Sequence, residues 1–408
     1  MRKNPFAAAV AVSLAAAMTL TACGSRSETP AGGTGSGAAA TKTVKIGVIA
    51  PLTGSLSAMG LGIKNSVDLA VKQANESNAI PGWKIEIVAE DDTASPDVGR
   101  NAATKLAGDK DVVGIVGPLN SGVGQALQPV LAPANIALIS PANTNPTLTR
   151  GAQPVTAPKR AYANYYRTCT TDVVQGGVAA QYLIENKLTN VATVHDKKPY
   201  GQGLVEAMTA ALTQGGGKVV SAQTINQDDK DFSTVIAQIK AQNPQVVYFG
   251  GEYPVAGPFS KQMKAAGLNI PLMGGDGIYD DTFIKDNGAP VTGDYATSVG
   301  APAADLPSAQ AFIKAYQAAG YKDGYSAYGA YSYDAAQALI AAMKVSLKDK
   351  SDVQSARAAT ATEVGKVNLT GATGQVAFDD FGDTKARVIS IYQVKDGKWT
   401  PLKTMEMK

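Results

Sequence analysis

The sequence predicts two α/β lobes with parallel-sheet cores, joined by a multi-strand hinge with a ligand cleft between them. Strand and helix patterns alternate as βαβαβαβ from Val44 to Ser140, and the same rhythm restarts at Asn190. Polar loops rich in Gly, Ser, Asn and Thr stand where strands end, which is where open parallel sheets take ligands. A chain of 408 residues with a hydrophobic fraction of 45% is long and apolar enough for two domains with their own cores.

The amino terminus is a separate object. Arg2 and Lys3 precede an apolar run, Phe6 to Leu20, which ends in Leu20-Thr21-Ala22-Cys23. The run is short of the roughly 20 residues that a membrane span needs, so residues 1–22 read as an export signal. The Leu-Thr-Ala-Cys ending resembles the lipobox of bacterial lipoproteins. That resemblance implies cleavage before Cys23, lipid attachment to its sulfur, and anchoring to the outer face of the cytoplasmic membrane. Residues 23–42 are then a flexible tether, because Gly24 to Thr41 offers almost no apolar side chain larger than Ala.

In the first lobe, strands are expected at Val44–Ala50, Lys84–Glu90, Val112–Val116 and Ala137–Ser140. Helices are expected over about Gly60–Asn75 and from Pro96, a residue suited to a helix start, to Gly108. The second lobe repeats the pattern. Its strands are Asn190–His195, Lys218–Gln223, Gln245–Gly250 and Ile270–Gly274; its helices are Gly201–Gln214, Asp231–Ala241 and Pro254–Ala266. After Pro290 come a strand at Tyr295–Val299, helices at Pro307–Ala319, Ser326–Val345 and Asp352–Thr360, and strands at Gly374–Phe378, Val388–Val394 and Trp399–Thr404. The expected division is 43–165 plus 293–372 for lobe one and 166–292 plus 373–408 for lobe two.

Composition removes several function classes. The net charge is +3 and the basic residues are scattered, so no nucleic-acid face is expected. His195 is the only histidine, which excludes a His-rich metal site and any Ser-His-Asp set built on another histidine. The segment Gly201-Gln202-Gly203 lacks the third glycine of a dinucleotide fingerprint, and no Gly-rich stretch ends in GK[ST], so no cofactor is expected. Asp91-Asp92 reads as a strand end rather than a metal or acid–base pair. With Cys23 lipidated, Cys169 has no partner, and it reads as a small buried hydrophobe.

A cleft that buries a small zwitterionic ligand needs donors for a carboxylate and acceptors for an ammonium. Ser121, in Asn120-Ser121-Gly122, and Thr144, with the backbone near Ala142 and Asn143, are the carboxylate candidates; the same residues also suit simple helix capping. Asp276, after Gly274-Gly275, is the ammonium candidate, against a plain solvated loop acid. Tyr200 and Tyr253 can each cover an aliphatic group and offer a hydroxyl, or else pack their own loops.

These residues carry a family likeness. The segments Ile46–Gly54, Glu90-Asp91-Asp92, Val116-Gly117-Pro118-Leu119, Ile139–Pro146, Val194-His195-Asp196-Lys197, Tyr200-Gly201-Gln202-Gly203, Lys230-Asp231-Phe232-Ser233 and Tyr248-Phe249-Gly250-Gly251 follow family order. Val44 to about Thr404 resembles the leucine/isoleucine/valine-binding proteins of ABC importers, with the type I periplasmic-binding fold. The resemblance implies two Rossmann-like lobes joined by three hinge strands, no catalysis, and delivery of a branched-chain amino acid to a membrane permease by a monomer. It implies that Ser121 and Thr144 hold the ligand carboxylate, helped by the backbone near Ala142 and Asn143. Asp276 takes the ammonium; Tyr200 and either Glu252 or Tyr253, with Tyr253 favoured, supply the family tyrosines.

Three departures bear on the cargo. Asp276 is shorter than the glutamate of leucine-type members. Asn120 replaces one cysteine of a disulfide found in some members. Ala58-Met59 replaces an aromatic segment of the side-chain pocket, where Met59 is expected to fill the space. Another small amino acid, an aliphatic amide or urea, or a sensing role with a membrane partner, are the competing readings; a hydrolase lacks a coherent nucleophile–base set.

Overall fold

The computed structural model describes residues 41–407. The export signal and the lipid-attachment reading at Cys23 lie outside the described residues. The chain begins with β1 (Lys42–Ala50), α1 (Ser57–Glu76), β2 (Trp83–Asp91), α2 (Pro96–Gly108), β3 (Val112–Val116), α3 (Ser121–Leu131), β4 (Ala137–Ser140), α4 (Thr147–Arg150) and β5 (Tyr165–Arg167). These strands form one parallel sheet in the order β2-β1-β3-β4-β5. Every residue of β3 and β4 is buried, as their unbroken apolar runs require of central parallel strands. Order β2-β1-β3 places the β1 and β3 ends side by side, and the loops after them open on one edge.

The second unit runs α5 (Asp172–Glu185), β6 (Asn190–His195), α6 (Pro199–Gln214), β7 (Lys218–Thr224), α7 (Ser233–Lys240), β8 (Val246–Gly250), α8 (Tyr253–Ala265), β9 (Leu272–Gly274), α9 (Asp281–Asn287) and β10 (Tyr295–Val299). The chain continues with α10 (Gln310–Ala318), α11 (Gly329–Ser346), α12 (Arg357–Val364), β11 (Asn368–Gly371), β12 (Gly374–Ala377), β13 (Val388–Lys395) and β14 (Lys398–Glu406). The second sheet is β14-β13-β10-β9-β8-β6-β7. It is parallel from β7 to β10, and β13 and β14 add antiparallel to its edge.

The lobe boundaries differ from the sequence expectation in three places. β10 was expected in lobe one, within 293–372, but Tyr295 and Ala296 pair with β9, so the chain leaves the second sheet only after Val299. β5 pairs with β4 through Arg167, which keeps 166–167 in the first sheet. The strand at Gly374–Ala377 was expected in lobe two. It pairs instead with β11 in a separate ribbon, held to α11 by Asp334, which accepts from the Ala372 and Thr373 N–H groups at 2.7 and 2.8 Å. Helices α11 and α12 pack on the first lobe, against α1 and against β3 and β4.

The chain therefore passes between lobes after Arg167, after Val299 and between Ala377 and Val388. Arg167 ties the first and third passages together. It is fully buried, and its Nε donates to Asp383 Oδ1 at 2.7 Å while Nη1 donates to the Asn143 and Asn145 carbonyls at 2.7 and 2.9 Å. A buried guanidinium is tolerable only when its donors are met in this way. The same contacts fix the Asn143–Asn145 loop on the sheet edge.

Candidate ligand-binding cleft

The first jaw is built from the loops after β3 and β4. Ser121 opens α3 and is buried, and its Oγ accepts from the Asn145 N–H at 3.4 Å. The residue ahead of α3, Asn120, makes no capping bond to the helix. Its Nδ2 instead donates across the cleft to Glu252 Oε1 at 2.7 Å. The first turn of α3 is thus left with uncapped N–H groups beside the Ser121 hydroxyl, a setting that attracts an anion. Thr144 is fully buried, and its hydroxyl has no hydrogen-bond partner among the described residues.

Two expected carboxylate donors are already occupied. Ser140 Oγ accepts from the Ala142 and Asn143 N–H groups at 3.2 and 2.8 Å, so the N–H groups at Ala142 and Asn143 point into their own loop. The Asn143 side chain donates to the Leu119 carbonyl at 2.9 Å and accepts from Tyr165 OH at 3.0 Å. Asn143 is a staple between the two loops of this jaw.

The second jaw comes from α6, α8 and the turn after β9. Tyr200 OH donates to Asp276 Oδ1 at 2.8 Å and accepts from the Gly277 N–H at 2.9 Å. Tyr328, just ahead of α11 on the first-lobe side, donates to Asp276 Oδ2 at 2.9 Å. Burial pushes the Asp276 carboxyl above its ordinary range, against the lowering effect of these hydroxyls and of Gln175. The Tyr253 hydroxyl donates to the Ser55 carbonyl of the opposite lobe, and Asn145 Nδ2 donates to the Pro199 carbonyl at 2.6 Å. Hydrogen bonds thus span the cleft at several points, and the Tyr253 hydroxyl is engaged in holding the jaws together rather than offered to a ligand.

Met59 is as deeply buried as the residues of the two jaws. It is buried in the core against α1 neighbours such as Ile63, while Ala58 lines a chamber of about 650 Å³ with Tyr279, Tyr325, Tyr392 and Trp399. Successive helix positions point about 100° apart, so Ala58 and Met59 face different surroundings.

The remaining motifs settle into structural roles. Asp91 accepts from the Leu52 and Thr93 N–H groups at 2.8 and 2.9 Å and so orders the loop after β1. His195 accepts the Lys197 N–H at 3.1 Å, and burial lowers its pKa. Cys169 is buried, its thiol pushed well up by desolvation.

Residues 43–398 match the family model described as periplasmic binding protein. The chain belongs to the periplasmic binding protein family. It is similar to the Leu/Ile/Val-binding protein BraC3 of Rhizobium johnstonii, 34% identical over 357 residues, covering 87% of this chain and 92% of the relative. Among solved structures, the leucine-binding protein LivK of Thermotoga maritima superposes with a TM-score of 0.79 at 26% identity, covering 89% of this chain and 99% of that one. LivJ of Streptococcus pneumoniae, solved in complex with isoleucine, gives a TM-score of 0.79 at 25% identity, with 90% and 100% covered. The bilobed fold is shared with these proteins, and this periplasmic binding protein is a ligand binder without catalysis.

Sequence reasoning missed several residues of its cleft. Tyr328 and Gln175 both reach Asp276, the latter by accepting the Asp276 N–H at 3.1 Å. Asp172, Gln175 Nε2, Tyr248 OH and Glu252 Oε2 are buried without partners among the described residues. Glu252 was the less favoured of the two candidates after Gly250-Gly251 at a strand end. For Asp172 the signal was Thr170-Thr171-Asp172, a helix-start pattern directly after the first passage between lobes.

Proposed function

We propose that this protein captures leucine, isoleucine or valine outside the cytoplasmic membrane and delivers it to the transmembrane subunits of an ABC permease. The observation that carries the reading is the pairing of an uncapped α3 first turn, flanked by Ser121 and the unpartnered Thr144 hydroxyl, with a buried acid across the cleft. A helix N-terminus with hydroxyls suits a carboxylate, and a buried acid suits an ammonium. An α-amino acid presents both groups at that spacing. The ligands of BraC3, LivK and LivJ point to a branched side chain. A neutral amide or urea needs no acid, which argues against those cargoes.

The protein acts as a monomer tethered through lipidated Cys23. Cys23→Ser is expected to release it from membranes into the soluble fraction; unchanged membrane retention contradicts the anchor. A thermal-shift screen of amino acids, aliphatic amides and urea tests the cargo. Leucine, isoleucine and valine are expected to raise the melting temperature most. Stabilisation by an amide or urea with no response to these three contradicts the reading.

A further inference from the structure

We infer that the aromatic chamber beside Ala58 is a second ligand site, separate from the jaws, which takes a small quaternary ammonium ion and favours lobe closure when filled. The inference goes beyond the amino-acid reading and does not depend on which cargo the jaws hold.

The chamber has a volume of about 650 Å³, in the range of small-molecule sites. None of Ser121, Thr144, Tyr200 and Asp276 lines it. Its walls come from both lobes. Tyr279, Tyr392 and Trp399 belong to the second lobe, and the Tyr279 ring centroid lies 4.1 Å from that of Tyr392 and 5.8 Å from that of Trp399. Trp399 Nε1 donates to the Asp280 carbonyl at 3.0 Å, which fixes this wall to the turn ahead of α9. Tyr325, in the loop ahead of α11, belongs to the first lobe. Its ring packs edge-on to Phe312 and Tyr316, with centroids 5.5 and 5.7 Å away. A Cβ on Gly62 of α1 would stand 2.6 Å from the Tyr325 carbonyl oxygen, so the loop is seated directly on that helix. Ser298 and Val299, where the chain leaves the second sheet, complete the enclosure.

The charge of the chamber chooses the ligand. Its charged lining residues are Asp280, Asp281, Asp323 and Lys322, so acids outnumber bases. None of the four makes an ion pair among the described residues. Aromatic faces and carboxylates together attract a cation. A primary ammonium has three N–H donors to satisfy. Asp280 Oδ1 already accepts the Thr282 N–H at 2.8 Å as the cap of α9, and Asp281 is exposed. A quaternary ammonium donates no hydrogen bond and is held by ring faces in a negative field, which is what the chamber offers. An occupant in contact with Tyr325 on one lobe and with Tyr279 or Trp399 on the other holds the lobes together. Linkage then requires it to tighten whatever the jaws hold, and to be tightened in turn by the same factor.

Calorimetric titration of the full-length protein with choline and with 3,3-dimethylbutanol, the neutral alcohol in which carbon replaces the charged nitrogen, tests this. Choline is expected to bind saturably and at least about tenfold more tightly than the alcohol. Tyr325→Leu, which keeps apolar bulk and removes the ring, is expected to weaken choline about tenfold and to leave leucine affinity without choline within about threefold. Asp281→Asn, at an exposed position, is expected to weaken choline about threefold and serves if the first variant does not fold. Saturating choline is expected to tighten leucine binding about fivefold in the wild type and not in Y325L. No saturable choline binding, equal binding of the alcohol, or choline affinity unchanged in the variants overturns the inference. Weaker leucine binding in the presence of choline would place choline in the jaws and overturns it as well. If the wild type binds none of leucine, isoleucine and valine, the cargo reading fails while the choline titrations still decide the site. Small-angle scattering then reads closure, where compaction on adding choline is expected and its absence overturns the coupling.

Discussion

Asn120 shows how one residue changes its job with context. Its side-chain amide neither caps α3 nor staples its own loop. It bonds Glu252 on the opposite jaw. The bond exists only when the lobes meet, so it stabilises the closed form directly. Asn120→Ala would leave the Glu252 carboxylate, already short of a partner at Oε2, buried with none. We expect a loss of leucine affinity of about tenfold, close to 1.4 kcal/mol, in calorimetric titration. Unchanged affinity would place this bond outside the closed complex. At this scale the sequence indicated strand ends: Ser121 opens α3, Tyr200 lies in the first turn of α6, and Thr144 and Asp276 follow β4 and β9. The sequence was unreadable where partners are brought together by folding. Tyr328 reaches Asp276 from a separation of 52 residues, and Gln175 from 101.

Among the elements, α6 governs how closely the jaws approach. Gly203 sits in its first turns, and an added Cβ would lie 2.6 Å from Asn145 Nδ2 of the facing loop and 3.1 Å from Asp172 Oδ2. Gly203→Ala is therefore expected to hold the cleft slightly open and weaken ligand binding by about tenfold, while the helix itself gains from alanine. Small-angle scattering with saturating leucine should show incomplete compaction relative to wild type; full compaction would mean that the facing loop yields. Element boundaries were legible where the pattern was strong. β3, β4, β6, α2 and β10 occupy the expected residues. α5 was not foreseen, because Gly176-Gly177 interrupts its apolar stripe. β10 was foreseen as a strand but assigned to the wrong lobe, since pairing partners are set by topology and leave no mark on a five-residue run.

Several acids are buried among the described residues. Burial raises Asp92 and Asp196 to about 7, Asp172 to about 8 and Asp334 to about 6. In the unfolded chain these groups titrate near 4. The folded state then binds more protons than the unfolded state between pH 4 and 8. The stability these groups contribute is full below pH 4 and is lost as pH rises through 6–8. His195, with its pKa lowered, acts oppositely but is a single group. The ligand-free melting temperature is therefore expected to fall between pH 5 and pH 8.5; a rise over that range would contradict this balance of charges. Leucine should restore more stability at pH 8 than an equally saturating ligand without an ammonium, because its ammonium compensates the buried Asp276 carboxylate.

The central claim is that the two jaws close on a branched-chain amino acid. Calorimetric titration of the full-length protein with leucine, isoleucine and valine tests it most directly. Saturable one-to-one binding of at least one of the three, lost when its amino or its carboxylate group is removed, is the predicted result. Absence of binding for all three, or equal binding of analogues without the amino group, would contradict it.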